Sequence, residues 1–290
     1  MTFVGSRDKT NDFFHIFTPY TARPGRDEEW YNKRKSELTP EDLGGLTPEL
    51  YMEQAYPRSI EEALRVGGTA SAFDSDVISE MMLETKNPVK LPDKDIDYNI
   101  INIYKPFSLG HYYISAADIA HGVGKDYSVA GIMDVKTGEV CADIMRNDLP
   151  AESFAEHYLK MLELYRKPKA APEDNDIGHT VIMKMQQANY KHFIYQDDKK
   201  TKAGWHTGDN NRRKALENLI PAVNNRQIIV YNQKGVEQLS QLIRNVEKAG
   251  RIEASSGGND DYAMMLAICW ANKDKVDIVE WKDTTIHTLH

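Results

Sequence analysis

The stretch HYYISAADIAHGVGKDYSVAGIMDVKTGEVCADIMR, residues 111–146, decides the fold. It holds three β-prone runs, His111 to Asp118, Tyr127 to Asp134 and Glu139 to Arg146. A Gly-Val-Gly-Lys-Asp turn precedes the second run and Lys-Thr-Gly precedes the third, so tight glycine turns predict a three-stranded antiparallel meander. The grammar then changes. Phe154, Tyr158, Met161, Leu162 and Tyr165 share one helical face, with Asp148 and Pro150 as start signals. Beyond it the reading alternates: a short run at Lys169 to Glu173, a helix from Gly178 to Ala188, a strand His192 to Gln196, a helix Asn211 to Ala222, a strand Gln227 to Tyr231 and a helix Val236 to Glu247. A meander followed by β/α units predicts an α/β domain, a mixed sheet flanked by helices.

Upstream of Pro106 the chain carries charge runs, from Arg26 to Glu29 and from Asn32 to Glu37, and little periodicity. Pro40, Gly44, Gly45, Pro88 and Pro92 break it into pieces, so residues 1–106 read as an irregular or helical lead segment. Within it Ser59, followed by Glu61 and Glu62, predicts a short helix over Ile60 to Val66. The expected organisation is a lead segment (1–106), an α/β domain (107–272) and a tail (273–290) with no assignable role.

The 290 residues are 41% hydrophobic and 28% charged, which fits a globular chain with a substantial core. No run of about 18 apolar residues and no secretion-type amino terminus is present, so a cytoplasmic protein without a membrane span is expected. The two cysteines, Cys141 and Cys269, form no CxxC pair and cannot make a disulfide framework. A net charge of −8 argues against a simple electrostatic nucleic-acid binder. One segment departs from that balance. Between Thr180 and Ala215, Lys184, Lys191, Lys199, Lys200, Lys202, Arg212, Arg213 and Lys214 outnumber Asp197, Asp198 and Asp209. Such a segment suits the grip on an anionic substrate, or is a solvated face.

Three acidic positions are candidates for chemistry. Asp118 ends the first run, ahead of His121 and Gly122, where a carboxylate needs a cation or donor opposite it, or else merely opens the turn. Glu173, Asp174 and Asp176 lie at a strand-to-helix junction. Asp260 and Asp261 follow Gly257 and Gly258 at the head of an apolar helix. Acids at helix starts complement the dipole, so capping explains the last two clusters equally well one at a time. Together they fall at element ends, which an α/β sheet can bring to one crevice. Carboxylates gathered there would need hard cations such as Mg²⁺ or Mn²⁺, and a pair of ions is the standard apparatus for attack on a phosphodiester. Other chemistries fit poorly. Gly124-Lys125 lacks the remainder of a Walker loop, and neither HExxH nor GxSxG occurs. His121 reads as a turn or supporting group, and Trp205 and Trp270 as core or rim.

In order along the chain, these residues resemble the large terminase subunit of tailed bacteriophages, specifically its carboxy-terminal nuclease domain. Phe17-Thr18-Pro19-Tyr20, Arg23-Pro24-Gly25, Trp30-Tyr31, Tyr56-Pro57, Glu61-Glu62-Ala63-Leu64 and Phe73-Asp74 resemble the segment between motor and nuclease. Asp118 with Gly122 and Asp126-Tyr127-Ser128 resembles the first catalytic motif, and Glu173-Asp174-Asn175-Asp176-Ile177-Gly178 is similar to Glu-x-Asn-x-x-Gly. Gly204-Trp205-His206-Thr207 resembles Gly-x-x-Thr before a basic helix, and Asn259-Asp260-Asp261-Tyr262 the final motif.

The resemblance implies an RNase H-like fold and a DNA endonuclease with two Mg²⁺ or Mn²⁺ ions on Asp118, Glu173 and Asp260 or Asp261. It makes the eight basic residues from Lys184 to Lys214 candidate contacts to double-stranded DNA. The implied setting is the host cytoplasm, where concatemeric viral DNA is cut during genome packaging. The implied partners are a packaging ATPase, a small terminase subunit and a capsid portal. The ATPase has no motif in this chain, so a further segment or a separate protein would supply it. Another RNase H-like nuclease or recombinase, and a non-catalytic module that docks DNA or a motor, are the alternatives.

Overall fold

The computed structural model describes residues 16–39, 42, 48–64, 69–120, 124, 126–245, 250–255 and 257–278. Two compact units divide the chain, one of residues 1–70 with 244–251, the other of residues 71–243 with 252–290. In the first, α1 (Glu28–Ser36) starts at Asp27, whose carboxylate accepts the Trp30 N–H at 2.8 Å. Tyr20, Tyr31 and Met52, the last on α2 (Pro48–Ala55), are buried together, and Arg58 lies 4.3 Å from the Tyr31 ring centre and 3.1 Å from Glu28. The helix expected from Ile60 is α3 (Ile60–Leu64), where Ser59 Oγ accepts the Glu62 N–H at 3.2 Å; residues 65–68 lie outside the described residues.

The second unit opens on the last residue of β1 (Thr69–Ser71) and runs through α4 (Ser75–Leu83), β2 (Ile101–Ile103), β3 (Tyr113–Asp118), β4 (Ser128–Asp134), β5 (Val140–Arg146), α5 (Ala151–Leu164) and β6 (Lys169–Pro172). After these come α6 (Gly178–Gln187), α7 (Asp209–Asn224), α8 (Gln233–Ser240), β7 (Leu242–Asn245), β8 (Arg251–Ala254) and α9 (Asp261–Asn272), the residues of β7 and β8 that fall within 244–251 being counted with the first unit. The principal sheet has the order β2-β5-β4-β3-β6. Its first four strands are antiparallel neighbours and β6 joins β3 in parallel. This is the mixed sheet expected from the meander and the β/α units.

Strand alternation sorts the core into two layers. On β3, Ile114 and Ala116 pack with residues of α4, α7, α8 and α9, whereas Tyr113 and Ala117 pack with α5 and α6. Phe154, Ala155, Tyr158, Met161 and Leu162 of α5 recur at helical spacing and are all at 0% exposure. Each large side chain there contributes about 1.5–3 kcal/mol on burial. The Tyr158 hydroxyl meets Ser115 Oγ at 2.8 Å, which satisfies both polar atoms inside the sheet–helix layer.

Four elements differ from expectation. β2 comes from the stretch read as lead segment, pairing Ile101–Ile103 with Ala142–Ile144. Three residues are too few for a period-2 signal to stand out. The strands expected at His192 to Gln196 and Gln227 to Tyr231 are isolated bridges, Phe193 with Ala170 and Tyr195 with Ala203 in the first and Ile229 with Glu139 in the second, because each bridge is closed by only a pair of backbone hydrogen bonds. The helix expected from Val236 to Glu247 runs from Gln233 to Ser240 and gives way to β7. Asn232 caps its start through the Gly235 N–H, and after Gln241 the chain extends, with Leu242 O accepting the Ala72 N–H. Both cysteines are buried and free. No helix among the described residues is long and apolar enough to cross a membrane.

Candidate functional site

Parallel pairing of β3 with β6 places Ala117 opposite Pro172, and Glu173 N–H donates to Ala117 O at 2.8 Å. Asp118 and Glu173 are thus neighbours at the carboxyl ends of adjacent parallel strands, where α/β sheets open their crevices. The amino-terminal end of α9 brings Asp260 and Asp261 to the same place. Asp118 keeps partial access to solvent, yet its carboxyl is held well above the ordinary carboxylate range. Burial is the largest cause, followed by the charge of Glu173, a hydrogen bond with the Glu173 side chain, and the charges of Asp261 and Asp260. Like charges brought this close repel one another, and a cation between them would relieve that repulsion. Burial likewise pushes Asp261 up to about 6, with Asp260 and Asp126 adding to the rise. The Tyr127 N–H, 3.2 Å from Asp261 Oδ2, and Asn259 oppose it.

Capping does not account for these acids. Asp260 occupies the N-cap position of α9 without a side-chain cap hydrogen bond, and α6 starts at Ile177, again without one. Asp260 instead receives Arg212 Nη2 of α7, whose Nη1 donates to Ile252 O at 2.8 Å. Asp174 turns to His179 Nδ1 at 3.3 Å and Gln196 Nε2 at 3.0 Å. Asn175 faces the other way: its Nδ2 donates to Glu173 Oε1 at 2.9 Å, and its buried Oδ1 has no hydrogen-bond partner. Gly178 is tied to this turn by packing, since a Cβ there would stand 2.2 Å from Glu173 O.

The donors that could meet a cation here are the carboxylates of Asp118, Glu173 and Asp261 and the orphaned Asn175 Oδ1. All are hard oxygens, which fits Mg²⁺ or Mn²⁺ better than a soft metal. Among the described residues no group of three His, Cys, Asp or Glu side chains already stands as a metal cage. Asp260 is engaged instead by Arg212.

The basic residues fall on three pieces of the same unit. Lys184 is in the last turn of α6 with Lys191 just after it. Lys199, Lys200 and Lys202 decorate an exposed turn in which Asp197 accepts the Thr201 and Lys202 N–H groups at 3.1 and 3.0 Å. Arg212, Arg213 and Lys214 lie near the start of α7. Arg213 and Lys214 are exposed, whereas the Arg212 side chain is 19% exposed and engaged with Asp260. His121, Gly122 and Lys125 lie outside the described residues. Two participants had no role assigned from sequence, Asn175 and Arg212 as a partner of Asp260. The first sits inside the Glu-x-Asn-x-x-Gly pattern; nothing local marks the second, because 48 residues separate it from Asp260.

No protein-family model matches the chain, and no curated protein does. Solved structures do match. The large terminase nuclease from thermophilic phage G20c with bound magnesium superposes with a TM-score of 0.52 at 16% identity, covering 67% of this chain and 96% of that one. The same nuclease with bound cobalt gives a TM-score of 0.51 at 16% identity, over 67% and 96%. The Thermus phage P74-26 large terminase nuclease domain gives 0.50 at 16% identity, over 71% and 99%. In fold, about two thirds of this chain is similar to large terminase nuclease domains, with the RNase H-like mixed sheet at its centre.

Proposed function

We propose that the chain is a divalent-metal-dependent DNA endonuclease acting in viral genome packaging. The carrying observation is the gathering of Asp118, Glu173, Asp261 and Asp260 at the open end of the sheet. A folding chain gains nothing by gathering like charges there, so the cluster is better read as a cation site than as structure. Bound divalent ions would polarise the phosphodiester and lower the pKa of an attacking water. Asp118, Glu173 and Asp261 would hold them, with Asp260 free to join once it leaves Arg212. Asn175 orients Glu173 through its amide, and the Tyr127 N–H steadies Asp261.

Lys184, Lys191, Lys199, Lys200, Lys202, Arg213 and Lys214 are proposed phosphate contacts, and Arg212 becomes one if it exchanges Asp260 for the substrate. Double-stranded DNA is the proposed substrate. A packaging ATPase, a small terminase subunit and a capsid portal are the proposed partners, in the host cytoplasm. Supercoiled plasmid incubated with the folded protein and Mg²⁺ or Mn²⁺ tests the reading. Nicked and linear products that disappear with chelator, and in Asp118→Asn, are expected. Plasmid that stays intact in both metals would overturn it.

A further inference from the structure

We propose that Asp143 is a positioning residue for the carboxylates at the head of α9, acting through Tyr262; this rests on the nuclease reading above. Asp143 lies in the middle of β5 at 0% exposure. Its Oδ1 accepts from Asn102 Nδ2 at 2.8 Å and Asn232 Nδ2 at 3.1 Å. Its Oδ2 accepts from Asn232 Nδ2 at 3.0 Å and from the Tyr262 hydroxyl at 2.8 Å. One carboxylate thereby ties β2, β5, the cap of α8 and the first turn of α9.

An apolar side chain would bury at this position more cheaply than a carboxylate, and the carboxylate has no cation among its hydrogen-bond partners. What the carboxylate supplies in exchange is direction. Tyr262 is held at three points: its hydroxyl by Asp143, its N–H by Gln238 Oε1 at 2.7 Å, and its ring over Gly235, where a Cβ would stand 2.6 Å from a ring atom. Asp261 is the preceding residue, so its backbone inherits that fixation. Its carboxylate is then placed against the Tyr127 N–H and within the field of Asp118. Ligand side chains need placement to within about 0.5 Å, which neighbouring hydrogen bonds supply.

The test uses the full chain and two variants, Asp143→Asn and Tyr262→Phe, with their double variant. Three quantities are measured: Mn²⁺ affinity by electron paramagnetic resonance of the free ion, the melting temperature, and plasmid cleavage. Both single variants are expected to bind Mn²⁺ about 10-fold more weakly or worse, the scale seen when a hydrogen-bonded support of a metal ligand is removed. The double variant should be no weaker than the worse single one by more than about twofold, since both act through one contact. If Asp143→Asn does not fold, Tyr262→Phe decides, because it removes only the hydroxyl. A lowered melting temperature with Mn²⁺ affinity within about twofold of wild type in Tyr262→Phe overturns the positioning role and leaves the nuclease reading standing. A folded wild-type chain that binds no Mn²⁺ and cuts no DNA overturns both.

Discussion

Asp261→Asn should make the protein more stable and inactive at once. In the folded chain burial, with Asp260 and Asp126, raises the Asp261 carboxyl from 3.8 to about 6. At about 1.36 kcal/mol per pH unit this is about 3 kcal/mol of ionisation cost, an upper bound because the side chain is not fully enclosed. The fold binds this proton more tightly than the unfolded chain does. The cost is therefore absent below about pH 3.8, grows between there and about pH 6, and is fully present above. Asparagine carries no charge and still offers an oxygen to the Tyr127 N–H. At pH 7.5 in chelator the variant should gain about 1–3 kcal/mol, read as a melting temperature several degrees higher at about 2–4 °C per kcal/mol. Near pH 4 the difference should shrink toward zero. Plasmid cleavage should fall on the order of 100-fold or more, the scale of losing one charge-stabilising group at a reacting centre. Differential scanning calorimetry at the two pH values, beside a nicking assay, checks both halves. A melting temperature at or below wild type at pH 7.5 in chelator would refute the reasoning, since the carboxylate would then be stabilising the fold.

Adding Mg²⁺ should stabilise the wild type by about 2.7 kcal/mol at 100 times the dissociation constant, read as a higher melting temperature, and this gain should be lost in Glu173→Gln. Arg212→Ala strips Asp260 of its partner and Ile252 O of its donor, so a loss of about 1–3 kcal/mol is expected by chemical denaturation. Exposed Arg213→Ala and Lys214→Ala should stay within about 0.5 kcal/mol of wild type. Each should instead reduce the salt dependence of DNA binding by about one phosphate contact, measured by fluorescence anisotropy across a salt series. Gly178→Ala sets a methyl group against Glu173 O, so it should cost about 1–3 kcal/mol and weaken Mn²⁺ binding together, whereas alanine at an exposed α7 position should do neither.

The meander was legible because its signals are local: alternation along each run and glycine turns between them specify β3, β4 and β5 to within two residues. α5 was legible for the same reason, a single face of Phe154, Tyr158 and Met161. The bridges at Phe193 and Ile229, the edge strand β2 and the switch from α8 to β7 were not, because neighbouring strands and helices decide them rather than their own residues. The acids that the structure gathers at the candidate site stand in motifs readable from the sequence. Their difference in role is not readable there: Asp260 and Asp261 look alike in sequence, yet one meets Arg212 from α7 and the other faces Tyr127 and Asp118.

Taken alone, the sequence determines an α/β chain with a glycine-turned meander, acids at three element ends and a basic segment, all of which follow from neighbours within a few residues. Only the tertiary structure decides that Asp118 and Glu173 end adjacent strands side by side, that Arg212 covers Asp260 and that Asp143 anchors Tyr262. These pairs join residues 48 to 119 positions apart. Their energies come from the low-dielectric crevice that packing creates, and no local pattern encodes it.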